Sequence, residues 1–187
     1  ERFARYWPAD YHFVGKDIIR FHCVIWPAML MAAGIEPPKR VFAHGFLLTK
    51  GEKMSKSKGN AQTPASLVER FGVDAYRYYF LRDVSFGHDG SISMEAMVQR
   101  YNGDLANDWG NLCSRLFNMT EKYFDGLAPA APDLSSETED DATMRAIAGS
   151  LPETYEDYMR RLDYSAALES AWELIKYANR YIENAAP

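Results

Sequence analysis

The chain has 187 residues, of which 47% are apolar and 14% aromatic, enough for one medium domain or two small ones and too much for a chain disordered throughout. Its net charge of -5 argues, taken alone, against nucleic-acid binding. The charge is uneven, however: residues 1–125 carry 16 basic and 14 acidic groups, net +2, and residues 126–187 carry 5 and 12, net -7. Any nucleic acid would meet the first portion or a local patch.

Taken in order, Tyr11-His-Phe-Val14 is a short apolar run ending at Gly15, a buried-strand signal. A helix is expected from Lys16 to about Ala33, kinked near Pro27 and stopped by Gly34. Val41 to Leu48 reads as one second strand. Strand, helix and strand at this spacing predict a βαβ unit with a parallel sheet, whose ligands sit off the carboxyl ends of the strands. The apolar run Cys23–Ala33 is too short to span a bilayer, and Pro27 interrupts it. No signal peptide is seen. Cys23 and Cys113 lie far apart, outside any C-x-x-C pair, and read as buried thiols of a reducing cytosol rather than a disulfide or metal site.

Thr63-Pro64 begins a helix that stops at Gly72. Asp74 is expected to cap the next, Ala75 to about Asp83. Gly87-His-Asp-Gly90 is a turn, and Ser93 caps a helix from Met94 to about Tyr101. A separate long helix, roughly Asp104 to Phe124, carries Leu105, Trp109, Leu112, Leu116 and Tyr123 on one stripe. Residues 125–141 form a loop. Two helices follow, about Ala142–Leu162, broken near Pro152, and Ser165–Ala185, which makes the second half an antiparallel helix bundle. The fold class is therefore α/β followed by all-α.

Between the second strand and residue 63 lies Lys50-Gly-Glu-Lys-Met-Ser-Lys-Ser-Lys-Gly-Asn60. Four ammonium groups at this density repel one another and need an anion to settle them. Lysine is a compact point charge with rotating donors, suited to a polyphosphate whose charge moves during reaction. The stretch lacks the spacing of a Walker A loop. Elsewhere single residues leave alternatives open. Asp17 is a helix-dipole carboxylate or an acceptor of ribose hydroxyls, and residue type alone favours the former. Phe21, His22 and Trp26 read most simply as core. Asn111 and Arg115 share a helix face at i, i+4, either solvated or reading base edges and phosphates of an RNA loop.

Lys53-Met-Ser-Lys-Ser57 matches the Lys-Met-Ser-Lys-Ser signature of class I aminoacyl-tRNA synthetases letter for letter. Tyr11-His-Phe-Val-Gly-Lys-Asp-Ile-Ile-Arg-Phe-His22, Trp26-Pro-Ala-Met29, His44-Gly-Phe46, Asp74-Ala-Tyr-Arg-Tyr-Tyr79, Phe86-Gly-His-Asp-Gly90 and the run Asp104 to Arg115 together resemble the methionyl-tRNA synthetases. The resemblance implies the carboxyl half of a Rossmann-type catalytic sheet over residues 1–49. It implies the lysine loop and a stem-contact region over 50–98, and an anticodon-binding bundle, incomplete at its end, over 99–187.

By the resemblance, Lys53 and Lys56 are catalytic, and Gly15, Asp17, Met54, Ser55 and Ser57 bind ATP and the adenylate. Phe21, His22 and Trp26 border the methionine pocket, and Asn111 and Arg115 meet the anticodon. The implied substrates are L-methionine, ATP with Mg2+ and tRNA(Met), used in the cytoplasm without a membrane. The His-Ile-Gly-His motif expected upstream is not in this sequence, so the chain is expected to be a piece of the enzyme that needs its amino-terminal half and is inactive alone. The resemblance puts any zinc in an upstream insertion and no metal in this chain. The rival expectation is a non-catalytic tRNA-binding or assembly module built from a synthetase's tail.

Overall fold

A computed structural model describes residues 2–49, the backbone of 52–53, and residues 64–130, 135 and 137–185. The chain forms two compact units, one of Glu1–Ala61 with Val84–Ile92 and one of Gln62–Asp83 with Ser93–Pro187.

The first unit opens with α1 (Arg2–Tyr6) and β1 (His12–Gly15). β2 (Val41–His44) lies parallel to β1, with His12 opposite Val41 and Gly15 opposite His44. The apolar runs thus form the expected βαβ unit, with Val14 of β1 and Leu30 of the crossover buried. The crossover is less regular than a 3.6-residue period predicts. It runs as a 3-10 turn at Lys16–Ile18, a π-helical turn at Phe21–Ile25 and then α2 (Trp26–Ala32). The irregularity therefore precedes Pro27, which sits in the first turn of α2. Proline has no N–H to give the turn before it, and the widened turn, closed by Trp26 N–H on the Phe21 carbonyl, takes up that gap. Gly34, at φ +70°, ends the crossover in the left-handed region that glycine tolerates.

The expected single strand from Val41 to Leu48 is two strands in two sheets. β3 (Leu47–Thr49) leaves β2 and pairs antiparallel with β4 (Glu52–Lys53) and parallel with β5 (Gly90–Ser91). The break falls at Gly45. A Cβ there would lie 2.2 Å from the backbone carbonyl of His88, so the turn Gly87–Gly90 occupies the space a side chain would need. Phe42 and Phe86 stack at 4.6 Å between centroids and fix that turn against β2.

The second unit holds α3 (Pro64–Phe71), α4 (Val73–Asp83), α5 (Met94–Arg100), α6 (Asn111–Phe124), α7 (Glu139–Arg160) and α8 (Tyr164–Ala185). Gly72, at φ +84°, separates the first two. α4 begins before Asp74, whose carboxylate lies in the first turn, where the helix dipole favours it, instead of capping from outside. Ser93 does cap α5: its Oγ accepts from the Ala96 N–H at 3.0 Å.

The expected gap between residues 101 and 104 is filled. Tyr101–Gly110 is π-helical and joins α5 to α6 without a break. Tyr78 donates to Asp104 at 2.6 Å, and Arg100 pairs with both Asp83 and Asp104. These bonds hold the segment that Gly103 would otherwise loosen. α7 starts three residues earlier than expected because Thr138 and Asp141 form a capping box. It runs through Pro152 without ending, its packing along α8 outweighing the local cost of proline.

Leu67, Tyr79, Met97, Leu112, Ala167 and Trp172 are buried. The predicted stripe over residues 104–124, split between the π segment and α6, is covered only in part: Trp109, Leu116 and Tyr123 stay near half exposed. The two thiols also differ from expectation, Cys23 being exposed in the π turn and Cys113 half-buried; both are free. No helix among the described residues is long and apolar enough to cross a membrane, and no cluster of three or more His, Cys, Asp or Glu residues there could hold a metal.

Candidate functional site

The carboxyl ends of β1 and β2 lie side by side because Gly15 and His44 are the last paired residues. Gly15 hands the chain to the 3-10 turn of Lys16 and Asp17. A Cβ on Gly15 would sit 2.6 Å from Asp17 Oδ1, so glycine there lets the Asp17 carboxylate fold back over the strand end. Gly15 and Asp17 thus come together as a carboxylate beside bare backbone at the edge of a parallel pair, where nucleotide-binding sheets place their ligands.

Lys16 and Asp89 complete this edge. The Lys16 ammonium meets the Asp89 carboxylate at 2.7 Å and lies 4.8 Å from the centre of the Phe46 ring. Asp89 Oδ1 also accepts from the Phe46 N–H at 2.8 Å. The Lys16 bond first, then the Phe46 N–H, hold the Asp89 carboxyl below the usual carboxylate range. The turn Gly87–Gly90 therefore brings an anionic anchor to the strand ends. Sequence reasoning picked out the turn and passed over Asp89, although an acid within a glycine-bounded turn, with a lone lysine after β1, was the available signal.

Phe21, His22 and Trp26 lie on the π turn and at the start of α2. They are not the core side chains that residue type suggested: Phe21 is 56% exposed, Trp26 36%, and His22 half-buried. The His22 Nδ1 lies 3.1 Å from the Ile18 carbonyl, which can only accept, so in this contact Nδ1–H is the donor.

Lys53 is the last residue of β4, its backbone opposite Leu48, four residues beyond His44. The chain entering the lysine stretch thus pairs with β3, the strand that follows the Gly45 break after β2. Lys56, Met54, Ser55 and Ser57 lie outside the described residues.

In the second unit, α6 carries Asn111 in its first turn and Arg115 one turn later. Asn111 is exposed. Arg115 is not simply solvated: its guanidinium donates to Glu183 near the end of α8 at 3.0 Å. Asn179 of α8 donates to the Asp108 carbonyl at 2.9 Å, tying α8 to the π segment just before Asn111. Neither α8 residue was picked from the sequence, where both look like ordinary polar-face residues. The two sites, on the β1–β2 edge and on α6, belong to different units.

The sequence model of the family described as tRNA synthetases class I (M) matches residues 1–117, over half of the chain. The chain belongs to this family. Within the synthetase family it is 54% identical over all 187 residues to a methionine–tRNA ligase of Caldanaerobacter subterraneus subsp. tengcongensis and 49% identical to that of Bacillus subtilis. It covers 29% and 28% of those proteins, so it spans under a third of the length of the curated relatives it matches. Methionyl-tRNA synthetase of Mycobacterium tuberculosis bound by methionyl-adenylate superposes with a TM-score of 0.90 at 49% identity, over 98% of this chain and 35% of that one. The synthetase match ends at Phe117 and so takes in both the strand-end cluster and the Asn111–Arg115 face, while the likeness to the whole relatives continues through α7 and α8.

Proposed function

We propose that this chain is part of a methionine–tRNA ligase, which joins methionine to tRNA(Met) at the cost of converting ATP to AMP and pyrophosphate. The observation that carries the proposal is the uninterrupted likeness, over the whole chain, to methionine–tRNA ligases. The strand-end geometry supports it: a carboxylate on bare backbone at the edge of a parallel pair, whose second strand leads through β3 into a lysine-rich stretch.

In this proposal residues 1–49 supply half of the catalytic sheet, 50–98 the lysine loop and stem contact, and 99–187 an antiparallel bundle that meets the anticodon. The packing of α8's last turn back on α7's first, where Tyr181 hydrogen-bonds Asp141, supports the antiparallel arrangement. The Asp17 carboxylate accepts from ribose hydroxyls beside Gly15. Phe21, His22 and Trp26 border the methionine side chain. One methionine carboxylate oxygen attacks the α-phosphorus of Mg2+-bound ATP, the bond to the β-phosphate breaks, and pyrophosphate leaves. Lys53 and Lys56 stabilise the charge that gathers on the departing phosphates, and Met54, Ser55 and Ser57 bind the same ATP and the adenylate. A ribose hydroxyl of the tRNA terminus then attacks the acyl carbon, and AMP leaves. Bound methionyl-adenylate in the M. tuberculosis neighbour is the intermediate of these two steps. Asn111 and Arg115 read the anticodon, and the cytoplasm is where the reaction takes place.

The test is methionine-dependent ATP–pyrophosphate exchange and tRNA charging by the full-length parent protein. Exchange with methionine above all other amino acids is expected, and exchange with a different amino acid would overturn the proposal.

A further inference from the structure

Two rings outside the proposed pocket meet two rings within it. Trp7 and Trp26 pack edge to face, centroids 6.5 Å apart at 84°. His12 and His22 pack likewise at 6.2 Å and 87°. Trp7 and His12 meet each other at 5.8 Å, so the four rings form one cluster. Edge-to-face pairs are directional, because the positive rim of one ring seeks the negative face of the other. Each outer ring therefore limits the angle its inner partner can take.

The outer pair is itself anchored. The Trp7 indole N–H donates to the Glu36 carbonyl at 2.7 Å, which fixes the indole to the segment that follows the crossover. His12 is in β1, its own N–H bonded to the Arg40 carbonyl at 2.9 Å. Its ring Nδ1 is buried and has no hydrogen-bond partner among the described residues, so its orientation rests on packing. The inner pair needs such support, since both side chains hang from the π turn or its end, and Trp26 keeps a third of its surface in solvent. Widened turns of this kind concentrate at functional sites, where they re-aim side chains away from the regular helical positions.

We infer that Trp7 and His12 are positioning residues: they set the ring angles of Trp26 and His22 and, through them, the fit of the substrate's side chain. The inference rests on the pocket proposed for Phe21, His22 and Trp26, and the experiment separates the two. In the full-length parent enzyme, ATP–pyrophosphate exchange is measured against methionine and ATP for Trp7→Ala, Trp7→Phe, His12→Asn and Trp26→Ala, with norleucine as a sulfur-free competitor.

Loss of an aromatic pair should raise the methionine KM of Trp7→Ala roughly three- to tenfold, leaving kcat and the ATP KM in place. Trp7→Phe, which keeps a ring, should fall between Trp7→Ala and the parent, and selectivity for methionine over norleucine should drop in step. If Trp7→Ala does not fold, Trp7→Phe and His12→Asn give the same reading. An unchanged methionine KM in the Trp7 and His12 variants, or an equal fall in kcat for both substrates, overturns the inference. If Trp26→Ala raises the methionine KM while the outer variants do not, the pocket stands and the positioning role falls. If Trp26→Ala leaves it unchanged, both fall.

Discussion

Gly45→Ala tests the strand break that assembles the β1–β2 edge. The new methyl carbon would lie 2.2 Å from the His88 carbonyl carbon and oxygen and 2.4 Å from the Asp89 nitrogen, all of them backbone. No rotamer can relieve such an overlap, so either the turn Gly87–Gly90 or the β2–β3 corner must move. Overpacking that flexible side chains can absorb costs about 1–3 kcal/mol, and a clash against backbone belongs at the top of that range. Moving the turn also releases three bonds: Phe46 N–H to Asp89 at 2.8 Å, Gly90 N–H to the Phe46 carbonyl at 2.9 Å and Ile92 N–H to the Leu48 carbonyl at 2.7 Å. A local destabilisation of about 3 kcal/mol should speed hydrogen exchange of the Phe46, Gly90 and Ile92 amides roughly a hundredfold. Amides of α8 should keep their rates. Exchange by mass spectrometry or NMR on the full-length protein reads this directly, with Gly149→Ala as a control whose added carbon meets nothing within 4 Å. Parental exchange rates at those three amides in Gly45→Ala would refute the steric account of the break.

Lys56→Ala in the full-length enzyme should slow adenylate formation, by about 3 kcal/mol of transition-state energy or less, with methionine affinity little changed; pre-steady-state kinetics showing the reverse would remove Lys56 from its proposed role. Changing Asn111 or Arg115 should impair tRNA charging and spare ATP–pyrophosphate exchange, and a base-edge contact should cost roughly 1–3 kcal/mol at one anticodon position, whereas loss of both activities together would mean a damaged bundle. Asp89 has its carboxyl pKa held down in the fold, so the tether it makes persists as pH falls past the ordinary value of about 4 and is lost only in more acid solution. Lys16→Met should move the Asp89 carboxyl titration, followed by carbon NMR, upward toward that ordinary value; an unmoved midpoint would mean the Lys16 contact does not govern it.

Much of the fold was legible because local signals and tertiary packing agree. The two apolar runs, the Gly34 and Gly72 stops and the Ser93 cap are set by nearest neighbours, and each appears where the residues place it. The Gly45 break was not, since it is dictated by His88 and Asp89 more than forty positions away, and a lone glycine in an apolar run looks like any strand residue. The π segments were hidden for different reasons: Phe21–Ile25 is as apolar as a regular helix and only its bond register changes, whereas Asn102, Gly103 and Asp104 look like a break that the bonds of Asp104 to Tyr78 and Arg100 close. Within the site, Gly15 and Asp17 are adjacent in sequence and could be read as a pair. Asp89 and Glu183 act on Lys16 and Arg115 across 73 and 68 residues, and no local pattern joins them.

The central strand of the three-stranded sheet has a partner that the ribosome makes late. β3 can pair with β4 almost at once, but Leu47 meets Gly90 only after 43 further residues have been joined. At about 5–20 residues per second, that edge of β3 stays open for roughly two to nine seconds of synthesis. In the interval α3 and α4 emerge, two helices that pack on each other and can begin to do so before the sheet closes, although α4 must wait much longer for α8. The strand-end cluster around Lys16 is therefore finished by the arrival of Asp89, after part of the other unit has already been made.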